Sequence, residues 1–599
     1  MPGGRADGEI SLEAASVWIA PLLERYRTVV AREGAARHLV EAFNTLRLAD
    51  ALLDKARLVE SHPDHPVQLV LLGPTQSGKS TLANVLLDGD AAGVSPLAGY
   101  TVHATGLATG CEEGALAPLS GVLAPSRRVP RHTLSPDALD AFALERVEAG
   151  PRATLERAVV WDTPDFDSIE AGGYRGAVLQ GTAIGDVLCL VVSKDKYGDR
   201  SVWDMLTLLV ELGRPLLLCL NKLDAADEAT VVRAFSERFT ERFGTAPPDL
   251  VTLPFVRERD PGGHGATPHF PQSTRSRLAA AVKVAVANVD RAVQGGAARA
   301  FIASRRADWI APLEHELAAA ATWNALVEAA LEEAEQQYVR RYLDDPRKYD
   351  TFNRALAELL TLLELPGIAR TLSRAREVVT WPARTLLGIG RRRLGGASAA
   401  PDQEAEVLAE VLEGVLTRLQ GELIERRDDD PAQAPWWGAA QQAFRARRGD
   451  IAERFTARGE TVRRDFEPRI EEAARRLHER LRAQPALLAT LRAARATTDA
   501  AGVALAVKTG GLAPADLVLA PAMLSVTTLL TESALGRYLD TVRRELQAEQ
   551  RALVRRELLD GVLGESLDSL ARGLDDDALL SGGLDPAVLE AATRPVSTG

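Results

Sequence analysis

Apolar residues follow two different patterns along the chain, and the change between them near residue 290 divides the sequence. Between residues 67 and 290, short apolar runs alternate with helical stretches, which predicts a mostly parallel sheet with helices on both faces. The runs contain few charges, as strands buried on both faces should. They cover residues 67–72, 158–161, 187–193, 215–220 and 249–255. After residue 296 no strand pattern is visible.

Helical spacing of apolar residues predicts long helices on both sides of the sheet-forming region. Residues 9–60 form two predicted helices, and the segment 403–426 has leucines and Val415 on one face with glutamates and arginines on the other. The predicted helices after the sheet cover residues 296–342, 350–364, 403–426, 436–495 and 533–573. We expect three parts: N-terminal helices (1–62) packing on the helical stalk, an α/β domain (63–295), and a long all-α bundle or stalk (296–599).

The first candidate site lies where the first apolar run ends. Gly73 follows this run, and Gly78-Lys79-Ser80 opens a predicted helix, which gives the Gly-x4-Gly-Lys-Ser/Thr pattern of a phosphate-binding loop. Glycine permits the backbone dihedrals that turn N–H groups toward phosphate oxygens. Lys79 would neutralise the β- and γ-phosphates, and the Ser80 hydroxyl would bind Mg²⁺. The predicted nucleotide contacts in this loop are Gly73, Thr75, Gln76, Ser77, Gly78, Lys79, Ser80 and Thr81.

Two further motifs follow at the ends of later apolar runs. In Asp162-Thr-Pro-Asp165, an aspartate that ends a strand can hold Mg²⁺ through water, and the turn after it can sense the γ-phosphate. In Asn221-Lys222-Leu-Asp224, the Asp224 carboxylate can accept hydrogen bonds from the N1–H and the exocyclic amino group of guanine. Adenine lacks this pair of donors, so the carboxylate would reject ATP. Lys222 would cover the base with its aliphatic stem.

Taken in order, these three motifs resemble those of GTPases of the Era and dynamin-like class, over roughly residues 65–290. The resemblance implies a Ras-like fold, GTP and Mg²⁺ as ligands, and two nucleotide-sensitive switches. Such GTPases carry a switch-one threonine that coordinates Mg²⁺. Thr101 and Thr105 are the candidates, and Thr101 is favoured because Gly-Tyr-Thr resembles the Gly-Thr-Thr of Era-like switches. The implied catalytic residues are Lys79, Ser80, Thr101 and Asp162, and the implied metal ligands are Ser80, Thr101 and Asp162.

The sequence departs from this family pattern beside the second motif. Asp165 replaces the glycine whose N–H meets the γ-phosphate, so an amide remains but with altered freedom. Phe166 stands where Ras-like enzymes place a water-orienting glutamine, and it cannot orient water. The stretch between Thr105 and Arg157 is long for a Ras-like domain. We therefore expect a GTPase that converts GTP to GDP and phosphate slowly, unless self-association through the GTPase domain supplies another group.

Composition narrows the possible partners and the compartment. The formal net charge is −12, which argues against a DNA partner because a phosphate-neutralising surface must be basic. The three cysteines, Cys111, Cys189 and Cys219, are too few and too scattered for a disulfide framework, which fits a reducing compartment with no disulfide partner. Cys189 and Cys219 lie in apolar runs and are predicted to be buried thiols. The N-terminus has no apolar signal core. We expect a cytoplasmic protein, with peripheral attachment at the inner face of the plasma membrane left open.

Two segments of the helical region could touch a membrane. Residues 365–393 contain seven arginines and one glutamate interleaved with Trp381 and aliphatic residues, a composition that suits an anionic lipid surface or an acidic surface of the same protein. Residues 501–531 predict an apolar hairpin, either buried in the bundle or inserted in a membrane. The longest charge-free run of this hairpin, 517–531, has fifteen residues, fewer than the roughly 20 that a spanning helix needs.

The sequence as a whole supports one main hypothesis and two alternatives. The main hypothesis is a bacterial dynamin-like mechanoenzyme that binds and hydrolyses GTP and acts at membranes by nucleotide-dependent self-association. The first alternative is an Era-like assembly GTPase, which would need a basic RNA-binding module that the sequence does not show. The second is a non-catalytic scaffold gated by GTP, which Asp165 and Phe166 suggest.

Overall fold

The computed structural model describes most of the chain and divides it into two compact units. The described residues are 12–32, 34–93, 102–124, 126–135, 140–167, 171–256, 270–346, 348–362, 403–485, 536–574 and 579–594. The first unit draws on residues 1–314 and 577–599, and the second on residues 315–576. The first holds a mostly parallel sheet with flanking helices, and the second is helical throughout its described residues, which confirms the predicted fold class.

In the described part of the first unit, eight strands form one sheet. Their order across the sheet is β3-β4-β2-β5-β1-β6-β7-β8. The pair β2–β5 is antiparallel, and the other neighbouring pairs are parallel. The strands are β1 (Val67–Leu72), β2 (Thr105–Thr109), β3 (Arg127–Arg128), β4 (Ala141–Arg146), β5 (Ala158–Asp162), β6 (Val187–Ser193), β7 (Leu216–Leu223) and β8 (Leu250–Pro254).

Strands β1, β5, β6, β7 and β8 coincide with the five apolar runs of the sequence. Strands β2, β3 and β4 come from the long stretch between Thr105 and Arg157, where no strand was predicted. Within this stretch, β2 pairs along its whole length with β5, from Thr105 opposite Asp162 to Thr109 opposite Ala158. The stretch therefore extends the sheet on one side of the predicted strands.

Helices cover both faces of the sheet. On one face, Leu82 of α3 and Leu278 of α9 share a buried apolar cluster with alternate strand residues such as Leu69 and Cys219. All three cysteines are free and buried. The helices that belong to the first unit are α1 (Leu12–Val30), α2 (Arg37–Ser61), α3 (Lys79–Leu87), α4 (Glu113–Leu116), α5 (Leu119–Val122), α6 (Ala171–Ile184), α7 (Arg200–Glu211), α8 (Glu228–Phe243), α9 (Gln272–Ala287) and the first half of α10 (Arg291–Tyr338).

The two N-terminal helices lie within the first unit. Helix α2 packs on α6 beside the sheet. The Lys55 ammonium of α2 reaches the buried Asp186 carboxylate just before β6, at 2.9 Å. Helix α1 packs on α10 through Trp18 and Trp309, and also contacts the short C-terminal helix α16 (Pro586–Thr593). The sequence predicted that these two helices pack on the helical stalk, whereas the structure shows α2 packed on α6 beside the sheet. The predicted domain boundaries stay a prediction.

Long helices form the second unit. The second half of α10 leads into a π-helical turn, Val339–Leu343, and a second π-helical segment, Arg555–Gly564, follows α14. The other helices are α11 (Asp350–Leu362), α12 (Gln403–Asp429), α13 (Ala434–Arg482), α14 (Gly536–Val554) and α15 (Glu565–Arg572). The face of α12 predicted to be apolar is buried against α13. Its residues are Leu408, Leu412, Val415, Leu419 and Leu423.

Neither segment proposed to touch a membrane can be placed, because residues 365–393 and 501–531 lie outside the described residues. Among the helices that the structure does describe, none combines the length and the apolar character needed to cross a bilayer.

Candidate functional site

The phosphate loop connects the end of β1 to the start of α3 in the conformation that its glycines allow. Gly78 immediately precedes α3 with a φ of 98°, a left-handed value that favours glycine. A Cβ atom at Gly78 would collide with the amide nitrogen of Asn221, and one at Gly73 would collide with the carbonyl oxygen of Val191. Close packing thus requires glycine at both positions, and at Gly78 the backbone dihedral favours glycine as well.

The Lys79 side chain folds back over this loop. Its Nζ atom donates to the carbonyl oxygens of Gly73 at 3.0 Å and Pro74 at 3.3 Å. It also donates to Oδ1 of Asp165 at 2.5 Å. Lys79 is only 4% exposed, so its charge is held by these three acceptors rather than by bulk water. An ammonium fixed in this way at a helix N-terminus can bind phosphate.

Ser80 and Asp162 form a pair that suits a divalent cation. The Ser80 hydroxyl donates to Oδ2 of Asp162 at 2.6 Å, which leaves the lone pairs of the serine oxygen free for a metal. Among the residues that the structure describes, the buried Oδ1 atom of Asp162 has no hydrogen-bond partner. Burial raises the pKa of Asp162, against the lowering effects of the Lys79 charge and the Ser80 hydrogen bond. A hydrated Mg²⁺ would satisfy the orphaned oxygen and favour the carboxylate, so these residues fit the ion.

The turn after Asp162 brings two further acidic side chains to the phosphate loop. Asp165, predicted to contribute its backbone amide, places its carboxylate on Lys79. Asp167 accepts from the backbone N–H of Thr75 at 2.6 Å and from the Thr75 hydroxyl at 2.8 Å. Lys196 also donates to Asp167, at 3.0 Å. Burial acts to raise the pKa of Asp167, but these donors outweigh it and hold the pKa below its usual value.

The third motif is tied directly to the phosphate loop. The Asn221 side-chain amide donates to the carbonyl oxygen of Ser77 at 2.8 Å, and its Oδ1 atom accepts from the backbone N–H of Lys222 at the same distance. Lys222 has a φ of 60°, which is unusual for a residue with a side chain. The last residues of β7 are thereby joined to the loop between β1 and α3.

Asp224 lies at the exposed end of this site and has a charged partner. Lys194, just after β6, donates to Oδ2 of Asp224 at 2.7 Å and to Oδ2 of Asp227 at 2.8 Å. These hydrogen bonds raise the pKa of Lys194. The side chain of Asp224 is 55% exposed, so its carboxylate remains accessible to a ligand. Lys194 thus orients a carboxylate that can still accept from a base.

The structure brings most of the predicted site residues together, with exceptions. Thr101 lies outside the described residues, so its role stays a prediction. The alternative, Thr105, begins β2 and is buried opposite Asp162 in the sheet. Gln76 adopts a φ of 59° and is exposed. Thr81 is half-buried in the first turn of α3.

The sequence did not predict the contacts that Asp167, Lys194 and Lys196 make. Each follows the carboxyl end of a strand, where ligands bind in parallel sheets, and this position was the available signal. The pairing of these lysines with particular carboxylates depends on the distances between the ends of β5, β6 and β7, which cannot be derived from the sequence.

Comparisons with known proteins give only distant likenesses. No family model matches the chain, and no curated protein matches it. Two similar solved structures are described as an oligomerised bacterial dynamin pair that provides a mechanism for long-range sensing and tethering of membranes. They share 10% and 11% identity, with TM-scores of 0.33 and 0.32, over 91% and 88% of this chain and 90% of each of theirs.

A third structure, described as the LeoA bacterial dynamin GTPase from ETEC, has 11% identity and a TM-score of 0.23, over 95% of this chain and 98% of its own. Identities and TM-scores this low establish neither a shared activity nor a shared mechanism. The function is therefore argued from the residues of the site.

Proposed function

We propose that this chain is a GTP-binding and GTP-hydrolysing enzyme of the dynamin-like kind. The observation that carries the proposal is the hydrogen bond from Asn221 to the Ser77 carbonyl, because it joins a guanine-selecting motif to a phosphate loop. The pair formed by Ser80 and Asp162 adds a fitting place for Mg²⁺, which would neutralise phosphate charge. Lys79 would hold the phosphates from the other side of the loop.

Guanine selection would come from Asp224. Its exposed carboxylate can accept the two donors that guanine presents on one edge. Lys222, two residues earlier at the end of β7, would cover the ring with its aliphatic stem. A site whose polar group is satisfied only by the correct base discriminates strongly against other bases. ATP would leave the Asp224 carboxylate without these donors.

The base preference tests the nucleotide-binding part of the proposal. We expect Asp224→Asn to lower the affinity for GDP at least ten-fold and to raise that for xanthosine diphosphate, because xanthine replaces the amino group of guanine with a carbonyl that an amide can meet. Competition against a fluorescent guanine nucleotide would measure both affinities. Asp204→Asn, a half-exposed aspartate of α7 paired with Arg200 and Arg242, is the matched control. Wild-type guanine preference in Asp224→Asn would refute the role given to this residue.

We propose further that the enzyme acts at membranes and associates with itself in a nucleotide-dependent way. Support for membrane contact comes from the seven arginines and the Trp381 ring of residues 365–393, since each basic residue near an anionic surface contributes about 1 kcal/mol. Support for self-association comes from Phe166. This side chain is buried beside the phosphate loop and cannot orient a water molecule, so a second copy of the chain would have to supply that group.

A non-catalytic scaffold gated by GTP is the second candidate. Two departures from the GTPase family pattern favour it: Phe166 replaces the water-orienting glutamine and is buried, and the Asp165 carboxylate pairs with Lys79. Both candidates require guanine-nucleotide binding, and they differ only in whether phosphate is released. Phosphate release that requires Lys79 would exclude the scaffold.

A further inference from the structure

The buried lysine of the phosphate loop already has a negative partner from its own chain. Lys79 Nζ has three N–H donors, and it donates to the carbonyl oxygens of Gly73 and Pro74 and to the carboxylate of Asp165. The two side chains of the Lys79–Asp165 pair are 5% and 11% exposed. An anion that binds the Lys79 ammonium must therefore share this ammonium with the Asp165 carboxylate or displace the carboxylate from the ammonium.

Asp165 is held in this position by the turn that carries it. The Thr163 hydroxyl donates to the carbonyl oxygen of Leu71 at 2.7 Å, which anchors the turn to the end of β1. On the far side of the turn, Asp167 is fixed to Thr75 by two hydrogen bonds. Since Asp165 lies between these two anchors, its backbone has little freedom to withdraw the carboxylate. Any withdrawal would have to come from side-chain rotation.

The Asp165 carboxylate would affect the binding of a diphosphate and the binding of a triphosphate in different ways. Asp165 stands where the resemblance places the glycine whose amide meets the γ-phosphate. A terminal phosphate there would lie beside both Lys79 and the Asp165 carboxylate, and like charges at such close range repel. A diphosphate has no group at that position, so Asp165 could keep its contact with Lys79.

We propose that Asp165 is a specificity-determining residue of the site. Its carboxylate competes with the terminal phosphate for Lys79 and thereby favours the binding of GDP over that of GTP. This rests on the proposed function, because it assumes that guanine nucleotides bind at the phosphate loop. It predicts that the wild-type protein binds GDP at least ten-fold more tightly than a triphosphate. It also predicts that removing the charge at position 165 reverses much of this preference.

The alternative role for Asp165 is purely structural, as the partner that neutralises a buried lysine. In that case its removal would weaken the loop and lower the affinities for diphosphate and triphosphate together, because both need Lys79. The ratio of the two affinities would then remain unchanged. The ratio separates the two roles, whereas either affinity alone does not.

The test measures dissociation constants of the full chain with Mg²⁺ for GDP and for guanosine 5′-(β,γ-imido)triphosphate, which resists hydrolysis. The proteins are wild type, Asp165→Asn, Asp165→Gly and the control Asp204→Asn. We expect both 165 variants to raise triphosphate affinity relative to GDP at least ten-fold, and the control to match wild type. Asparagine keeps the size of the side chain and glycine restores the usual residue of the motif, so the two variants check each other.

Several results would overturn the inference, and they can be told apart. If wild type binds the triphosphate analogue as tightly as GDP, Asp165 does not discriminate, and this result needs no variant. If GDP binds and the ratio in both 165 variants stays within two-fold of wild type, Asp165 is only structural and the proposed function survives. If no protein binds either nucleotide, the proposed function fails and the inference fails with it.

Discussion

Two aspartates three residues apart, Asp162 and Asp165, meet the phosphate loop in different ways. Asp162 ends β5 and accepts from the Ser80 hydroxyl, and its other oxygen is buried with no hydrogen-bond partner in the described part of the chain. Asp165 forms an ion pair with Lys79. The Asp162 carboxylate thus has an oxygen that could bind a metal ion, whereas the Asp165 carboxylate is already paired with the Lys79 ammonium. This difference supports the metal-binding role proposed for Asp162 and the competing role proposed for Asp165.

Gly78 allows a prediction at the same scale. Its φ of 98° costs any other residue about 1–2 kcal/mol, and a Cβ atom there would push against the Asn221 amide that holds Ser77. We expect Gly78→Ala to weaken GDP binding at least ten-fold, as measured by titration calorimetry. Gly121→Ala is the control, because nothing lies within 4 Å of a Cβ added to that helical glycine. Equal affinity in Gly78→Ala and wild type would contradict the loop geometry described here.

At the scale of elements, the anchor between α2 and the sheet is a buried group of charges. The Lys55 ammonium lies 2.9 Å from Asp186 Oδ1 and 2.8 Å from His65 Nε2. Arg291, at the start of α10, donates to Asp186 Oδ2 at 3.1 Å. Burial acts to raise the pKa of Asp186, but the charges of Lys55 and Arg291 outweigh it and lower the pKa to about 2. Asp186 thus stays ionised and joins α2 and α10 to the sheet near the amino end of β6.

His65 makes this anchor sensitive to pH. Burial first, and the Lys55 charge second, lower the pKa of His65 from 6.5 to about 4. A lowered histidine pKa means that the folded state binds fewer protons, so its stabilising contribution is present above pH 6.5 and is lost as the pH falls toward 4. We expect wild type to lose about 1–2 kcal/mol more free energy of unfolding than His65→Gln between pH 6.5 and 4.5.

Urea denaturation at the two pH values would measure this difference, and glutamine keeps an acceptor for the Lys55 ammonium. His62→Gln is the control, since His62 is exposed and lies only three residues before His65. The anchor would not be pH-sensitive as described if His65→Gln and His62→Gln showed the same dependence on pH as wild type.

The elements that the sequence predicts best are those whose burial is set by their own apolar residues. Strand β6 (Val187–Ser193) matches its predicted run, because every residue in it is buried. Strand β3 is only Arg127–Arg128, and its place depends on pairing with β4 rather than on apolar character. The position of the loop between β1 and α3 was likewise predictable, because Gly73 and Gly78 mark the turn between an apolar run and a helix. The contact between Asp165 and Lys79 could not be predicted, because it depends on the distance between the loops that follow β1 and β5.

At the scale of the whole molecule, a sheet-containing unit and a helical unit share the continuous helix α10. In the helical unit, the Glu404 carboxylate accepts from the Tyr338 hydroxyl and from the Gln550 amide, both at 2.7 Å. Burial raises the pKa of Glu404 above its usual value. A buried polar centre of this kind favours one arrangement of α10, α12 and α14, because separating these helices would remove two donors from a buried carboxylate.

GTP hydrolysis at the phosphate loop is the central property proposed for this protein, and one measurement tests it most directly. Phosphate release from GTP is followed for the full chain at increasing protein concentration, with and without anionic liposomes. Lys79→Ala serves as the inactive variant, and Lys283→Ala, an exposed lysine of α9, as its control.

We predict slow release by wild type and by Lys283→Ala, with a rate per molecule that rises with protein concentration and rises further with liposomes. Lys79→Ala is predicted to release none, because the lysine that holds the phosphates is gone. Release by wild type that does not exceed that of Lys79→Ala would contradict the account.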